Sequence, residues 1–422
     1  MANILFFPDV YLEQGHWLPA VSLGQALQAK GHTVNFMGIA DCETIATSYG
    51  FTFYKVFADE YPLGYTRANQ YKSVNERWKP DHLWDIIGGG LDDVMKTVKP
   101  DLIISGYFAS LETLIIHYKY GLKFMTTTTY LRHPDDDPAI RAIQNLVGMS
   151  EPMARKVISG ATADVADYPY DPDDIYGFVR PLGTVHELVP CPRAFEFANY
   201  VFDTDTNPVN GRVHFVEPCV TRTKTSDALS KEPDIWEGIP SGVIAEKRIL
   251  FATAGSQVQD YKDKARRWFR EMINMMGMQG MQDYHLIISV GPDLINEDWG
   301  LPDNVSMFQW VPQLKVLSNC AAAFIHGGLA TIKECIFKGV PFIVLPLGKD
   351  QMDNALRVRR CAIGQIGYPE SVTMSTLQNL FLQAISNTWM NGRLKKMQLT
   401  FETNESNRTS IPVIESVLNA NS

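Results

Sequence analysis

The stretch 310–354 reads WVPQLKVLSNCAAAFIHGGLATIKECIFKGVPFIVLPLGKDQMDN. Within it the apolar run 321–325 breaks at His326-Gly327-Gly328 into a helical pattern that ends on Gly339, and a second apolar run, 341–346, follows. Strand, glycine corner, helix, strand is the repeating unit of an open parallel α/β sheet. Glycines at such a corner let a bound group approach the backbone, and the free N–H groups and positive dipole end of the new helix favour a phosphate there. Thr331 adds a hydroxyl and His326 a ring N–H, while Glu334 lies one turn beyond Thr331, where its carboxylate suits ribose hydroxyls. Upstream, Trp310-Val-Pro-Gln313 offers an indole face for stacking a base. Downstream, Asp350 beside Gln351 suits a bidentate grip on neighbouring sugar hydroxyls. In isolation His-Gly-Gly reads as a satisfied histidine beside a helix cap. The surrounding residues make it a nucleotide-sugar site.

Outward from this unit, candidate strands fall at 249–252, 286–290, 305–308, 321–325 and 342–345, and in the first half at 4–7, 33–37, 51–56, 102–105, 123–127 and 213–216. Helical patterns such as 18–30 fill the intervals, so the alternation predicts parallel sheets covered by helices. A chain of 422 residues is too long for one core and divides into two. The expected organisation is a first domain over 1–225 and a polar, proline-bearing linker over 226–243. A second domain follows over 244–385, and a helical tail over 386–422 packs back on the first domain. The stretches 59–91 and 131–198, rich in Tyr, Trp, Pro and Asp, read as irregular excursions from the sheet.

Forty-seven acidic against 38 basic side chains give a net charge of −9 with no basic block, which argues against a nucleic-acid partner. The first residues lack a basic segment before their short apolar run, so neither a signal peptide nor a membrane span is expected. The six cysteines show no C-x-x-C spacing; zinc and disulfides are not signalled, in keeping with a cytoplasmic address. Nothing in the sequence signals an oligomeric state.

The 310–354 stretch resembles the donor-binding signature of family 1 glycosyltransferases, the superfamily of UDP-glycosyltransferases and bacterial natural-product and macrolide glycosyltransferases. The resemblance implies the GT-B fold, two Rossmann-like parallel-sheet domains facing across a cleft. It implies that Trp310 stacks on the nucleobase, that His326 contacts the diphosphate and that Thr331 contacts phosphate, with Gln313, Gly327 and Gly328 also on the donor side. Glu334 would then take the ribose, and Asp350 and Gln351 the transferred sugar. Gly255-Ser256 looks like the family's other phosphate-contacting turn. Ala330 stands where plant members carry Asn. The implied co-substrate is a UDP- or dTDP-sugar, with UDP-glucose the default, and no metal is expected.

His16, in Gly15-His16-Trp-Leu-Pro19, matches the position of the family's catalytic base, and an imidazole of ordinary pKa ~6.5 suits proton removal from a hydroxyl near neutral pH. Many members orient that histidine with an Asp after the strand equivalent to 102–105, but this chain has Gly106-Tyr107. Asp9, Glu13, Asp59 and Glu60 are unranked replacements; the other readings are an acceptor acidic enough to need little help, or reduced activity. The runs Asp135-Asp136-Asp137 and Asp171-Pro-Asp173-Asp174 read as solvated loops, not as a metal site. Tyr61, Tyr107 and Phe108 are the candidate acceptor residues, suited to a flat or greasy molecule such as a natural product, phenol, polyketide or lipid. The expected reaction is inverting, metal-independent sugar transfer to a hydroxyl. The alternatives are a catalytically silent GT-B partner protein and a nucleotide-sugar epimerase.

Overall fold

The computed structural model describes residues 1–420 apart from Ser73, Pro172, 208–209, 231–238, 240–245 and Gln257. Most of the expected linker, 226–243, lies outside the described residues; within it Ser226–Ser230 is a short helix and Ile239 is buried. The chain forms two compact units. The first is Met1–Cys191 with Ala198–Leu229 and Asn407–Ser422; the second is Pro192–Phe197 with Ser230–Ser406.

In the first unit seven strands, β1 (Asn3–Phe7), β2 (Thr33–Gly38), β3 (Thr52–Lys55), β4 (Leu102–Gly106), β5 (Phe124–Thr127), β6 (Glu187–Val189) and β7 (Val213–Phe215), make a parallel sheet in the order β3-β2-β1-β4-β5-β6-β7. Ile4, Leu5, Phe6 and Phe7 are all fully buried, as a continuous apolar run must be when helices cover both faces of a parallel sheet. Ile4 pairs with Val34 on one side and Leu102 on the other. From β1 the chain winds outward through β2 and β3, then returns to add β4 on the opposite side. The loops after β1 and β4 therefore part company at a topological switch point, where an open α/β sheet leaves a crevice at its carboxyl edge.

The second unit repeats the plan with β8 (Arg248–Thr253), β9 (Tyr284–Ser289), β10 (Val305–Phe308), β11 (Cys320–Ile325), β12 (Phe342–Val344) and β13 (Gln365–Ile366) in the order β10-β9-β8-β11-β12-β13. Its switch point falls between β8 and β11, which pair through Phe324 and Ala252.

Two strands, β6 and β13, were not expected; three and two residues are too few for a hydrophobic period to declare itself. The excursion over 131–198 is more ordered than its composition suggests, for it holds the helices Pro138–Val147 and Glu151–Thr162. Asp137 caps the first of these, its carboxylate accepting from the amides of Ala139 at 2.8 Å and Ile140 at 3.2 Å. The residues after 386 divide. Helix Thr388–Asn407 belongs to the second unit up to Ser406, and helix Ser410–Asn419 belongs to the first. The buried Glu217 carboxylate fixes the latter by accepting from the Ser410 amide at 2.8 Å and the Ser410 hydroxyl at 2.6 Å. Among the described residues no helix is long and apolar enough to cross a membrane.

At the outer edge of the first sheet His186 Nδ1 lies 2.8 Å from His214 Nε2, with the rings stacked. Burial, and then the neighbouring His186, push His214 down to about 4; burial also lowers His186. The unfolded chain takes up protons near pH 6.5 that the folded chain refuses, so stability is complete above about 6.5 and declines as the pH falls toward 4. Urea titrations across this window should show that decline, and His214→Gln should make it shallower.

Candidate functional site

Two groups of residues stand at the two switch points. In the first unit β1 runs into Pro8–Glu13, and helix Gln14–Ala29 begins earlier than its hydrophobic pattern suggests, so His16 sits in the first helical turn and not in a loop. The His16 Nδ1 is 2.5 Å from Asp9 Oδ2, and Asp9 is 3% exposed. Asp9 is held in turn by its own loop: its Oδ1 accepts from the Tyr11 amide at 3.4 Å, while the Trp17 indole donates to the Tyr11 carbonyl at 2.8 Å. The His16 ring stacks on Phe108 with centroids 4.9 Å apart and planes 18° apart. Phe108 follows β4, the neighbour of β1, which is why it reaches this place.

The glycine at 106 has a steric cause. A Cβ there would lie 1.8 Å from the Pro8 carbonyl oxygen, so no side chain fits where relatives of the resembled family carry their Asp. Of the four candidate carboxylates, Asp9 meets the histidine; that of Glu13 lies 3.4 Å from Arg77. Gly106→Asp should therefore destabilise the chain by about 3 kcal/mol in denaturant titrations, and should not supply a better partner for His16.

The acceptor candidates separate. Tyr61 is fully buried, with its hydroxyl 3.3 Å from His82 and accepting from the Lys79 amide at 2.9 Å. It belongs to the core, and its assignment as a ligand contact is corrected. An aromatic residue in an irregular segment reads alike in sequence whether it faces inward or outward. Tyr107 is also buried, donating to Asp136 at 2.9 Å; Tyr130 donates to the same carboxylate at 2.9 Å. Phe108, half-buried, is the one of the three beside His16. The acidic runs hold loops: Asp136 anchors two tyrosines, Asp137 caps a helix, and Asp174 accepts from the Gly177 amide at 2.9 Å. Among the described residues no group of three or more His, Cys, Asp or Glu side chains could hold a metal ion.

In the second unit the turns after β8 and β11 meet around one ring. His326 is buried, and a Cβ on either Gly255 or Gly328 would lie 2.4 Å from its Nε2. Both glycines are thus required by the same imidazole; Gly255 and Gly327 also have φ of +80° and +94°, which side chains disfavour. Burial pushes His326 down to about 4, opposed by a hydrogen bond with the Thr253 backbone. The ring is neutral near pH 7, and its Nδ1 has no hydrogen-bond partner among the described residues. Ser256 is exposed on the same turn.

Along helix Leu329–Lys338, Thr331 is buried and Glu334 half-buried. Gln313 joins them, its amide nitrogen 2.5 Å from Glu334 Oε2 and 3.3 Å from Thr331 Oγ1. Trp310, 47% exposed, keeps an open indole face. Asp350 Oδ2 accepts from Asn354 at 2.9 Å, and Asn354 also donates to the Gly327 carbonyl at 3.1 Å, so this buried amide ties the Asp350 carboxylate to the glycine corner. Asn354 was not singled out by sequence, although a polar residue one helical turn after Asp350 was a signal. Gln351 differs from expectation. Its side-chain oxygen accepts from the Leu347 and Gly348 amides at 2.7 and 3.1 Å, which leaves its NH₂ as the end able to serve a ligand.

Gly328 has φ of −62°, where alanine is unstrained, so Gly328→Ala isolates the clash with His326. Titration calorimetry with UDP and dTDP should show binding at least ~10-fold weaker, the scale of one lost charge-assisted hydrogen bond, with an unchanged circular dichroism spectrum.

Residues 274–401 match the domain family described as erythromycin biosynthesis protein CIII-like, C-terminal domain. Over 94% of its length the chain is 22% identical to demethyllactenocin mycarosyltransferase of Streptomyces fradiae, covering 82% of that protein. Its structure resembles that of the glycosyltransferase of kitacinnamycin, with a TM-score of 0.71 at 20% identity over 99% of this chain and 100% of the other. It also resembles the glycosyltransferase VinC in complex with dTDP, with a TM-score of 0.60 at 17% identity over 98% and 99% of the two chains.

Proposed function

Since the chain is a family 1 glycosyltransferase of the GT-B fold, akin to the bacterial natural-product enzymes, we propose that it transfers a sugar from a UDP- or dTDP-sugar to a hydroxyl of a hydrophobic or aromatic small molecule, with inversion at the anomeric carbon. The observation that carries this reading is the His16–Asp9 pair at the first switch point. Nδ1–H of His16 donates to the Asp9 carboxylate, which leaves Nε2 as the proton acceptor. The acceptor hydroxyl gives its proton to Nε2 as its oxygen bonds to the anomeric carbon, and the bond from that carbon to the diphosphate oxygen breaks. The imidazolium so formed is stabilised by Asp9, and a single displacement from the opposite face inverts the configuration.

The leaving diphosphate is assigned to the second unit. The N-terminal amides of helix Leu329–Lys338, the neutral His326 ring and the Thr331 and Ser256 hydroxyls supply hydrogen bonds and a favourable dipole. Trp310 stacks on the base, Glu334 with Gln313 takes the ribose, and Asp350 with the NH₂ of Gln351 takes the sugar. The thymidine diphosphate bound in VinC supports a dTDP-sugar as readily as a UDP-sugar. Asp9 removes the observation that favoured a silent homologue, because the histidine has its carboxylate after all.

Incubation with UDP- and dTDP-sugars and a panel of phenolic, polyketide and lipid acceptors, read by mass spectrometry, should give a glycoside with inverted configuration; nucleotide binding without any product would sink the reading. His16→Ala and Asp9→Asn should each lower kcat toward an aliphatic alcohol by about 10²–10⁴-fold with little change in donor KM. Wild-type turnover by His16→Ala would remove that residue as the base.

A further inference from the structure

Helix Pro138–Val147 carries two hydrogen-bond donors that the fold does not use. Arg141 and Asn145 are four residues apart and so lie one above the other on one helix face. Arg141 Nε and Asn145 Nδ2 are both shut off from solvent without a hydrogen-bond partner among the described residues. Buried donors in folded proteins are nearly always paired, so two without acceptors one helical turn apart are a costly feature to retain for packing alone.

The carboxylates of the neighbourhood are already taken up. Asp136 accepts from Tyr107 and Tyr130, Asp137 accepts from the amides that begin the same helix, and Glu187 is held by Arg132 at 2.9 Å. What Arg141 does contact is an aromatic ring: its guanidinium lies over Phe108, 5.7 Å from the ring centroid. That contact positions the guanidinium beside the residue against which His16 stacks. The Arg141 guanidinium, its Nε without an acceptor among the described residues, therefore stands one aromatic ring away from the His16 imidazole, and Asn145 lies one helical turn further along the same face.

We propose that Arg141 and Asn145 bind a carboxylate carried by the acceptor, so that the molecule receiving the sugar is a hydroxy acid whose hydroxyl reaches His16 while its carboxylate pairs with Arg141. The proposal rests on the assignment of His16 as the base. A carboxylate matches the donor set because its two oxygens accept from the fork of a guanidinium and still leave a lone pair for an amide. Phe108 then has two tasks, holding the guanidinium on its π face and giving the acceptor's apolar body a wall.

The test uses matched probes: 4-hydroxycinnamic acid and emodic acid, each against its methyl ester. Affinities are measured by calorimetry without donor, and transfer is measured separately with UDP-glucose and dTDP-glucose. Wild-type protein should bind the acids at least ~10-fold more tightly than the esters. Arg141→Gln should bring the acid-to-ester ratio close to one, Arg141→Lys should restore part of the preference, and Asn145→Leu should reduce it by a few fold. Equal wild-type affinity for acids and esters overturns the proposal. So does an Arg141→Gln variant that weakens both members of each pair alike, since that is the signature of a packing role. Acid preference without transfer from either donor would count against the proposed reaction and leave the carboxylate site standing.

Discussion

The carbonyl oxygen of Pro8 occupies the space in which a side chain at position 106 would begin. This close approach follows from parallel pairing of β1 with β4, which sets Phe7 opposite Ser105 and carries both strands into their loops side by side. With no room after β4, the carboxylate that orients His16 has to come from the β1 loop itself, and Asp9 supplies it. The imidazole and the carboxylate that meets it then lie on one continuous stretch of eight residues, pinned by the Trp17 indole on the Tyr11 carbonyl. Phe108, two residues past the end of β4, stacks on the ring.

The second unit uses a different device at its own switch point. There one buried imidazole fills the gap between two turns, and the absence of side chains on Gly255 and Gly328 is the space it occupies. His326 and His16 are thus opposites in chemistry. His16 has a carboxylate beside its Nδ1, as the proposed base requires; His326 is buried and held neutral, as the proposed hydrogen-bond donor requires. In the proposed reaction the same residue type serves proton transfer in one unit and hydrogen bonding in the other because its surroundings differ.

Much of this was legible in the sequence, for identifiable reasons. Apolar runs such as Ile4 to Phe7 and Ile249 to Ala252 are long enough to declare buried strands, and within 310–354 the structure joins Gln313 to Thr331 and Glu334, and Asp350 through Asn354 to Gly327. Short strands escaped because Glu187–Val189 and Gln365–Ile366 contain no full period. The start of the first helix was hidden by Gly15 and Pro19, poor helix formers that bracket His16. Sequence could not rank Asp9 above Glu13, since that choice is made by distances between side chains. Nor could it separate Tyr61, in the core, from Phe108, beside the imidazole. Arg141 drew no notice because one arginine in a polar stretch has no pattern; what marks it is the want of a partner, which is a property of three dimensions.

The Glu217 carboxylate that receives the Ser410 amide and hydroxyl sets an order of assembly. A buried acid with its acceptor capacity directed at a helix start nearly two hundred residues later cannot be satisfied while the nascent chain is still short. The unit whose sheet is synthesised first is therefore among the last parts of the molecule to be finished. Until residues beyond 410 leave the ribosome, the face that helix Ser410–Asn419 covers with Ile411 and Ile414 stays open. Exchange of the first unit between relatives would have to carry this helix along with Met1–Cys191 and Ala198–Leu229, because in this protein a unit is not a continuous length of chain.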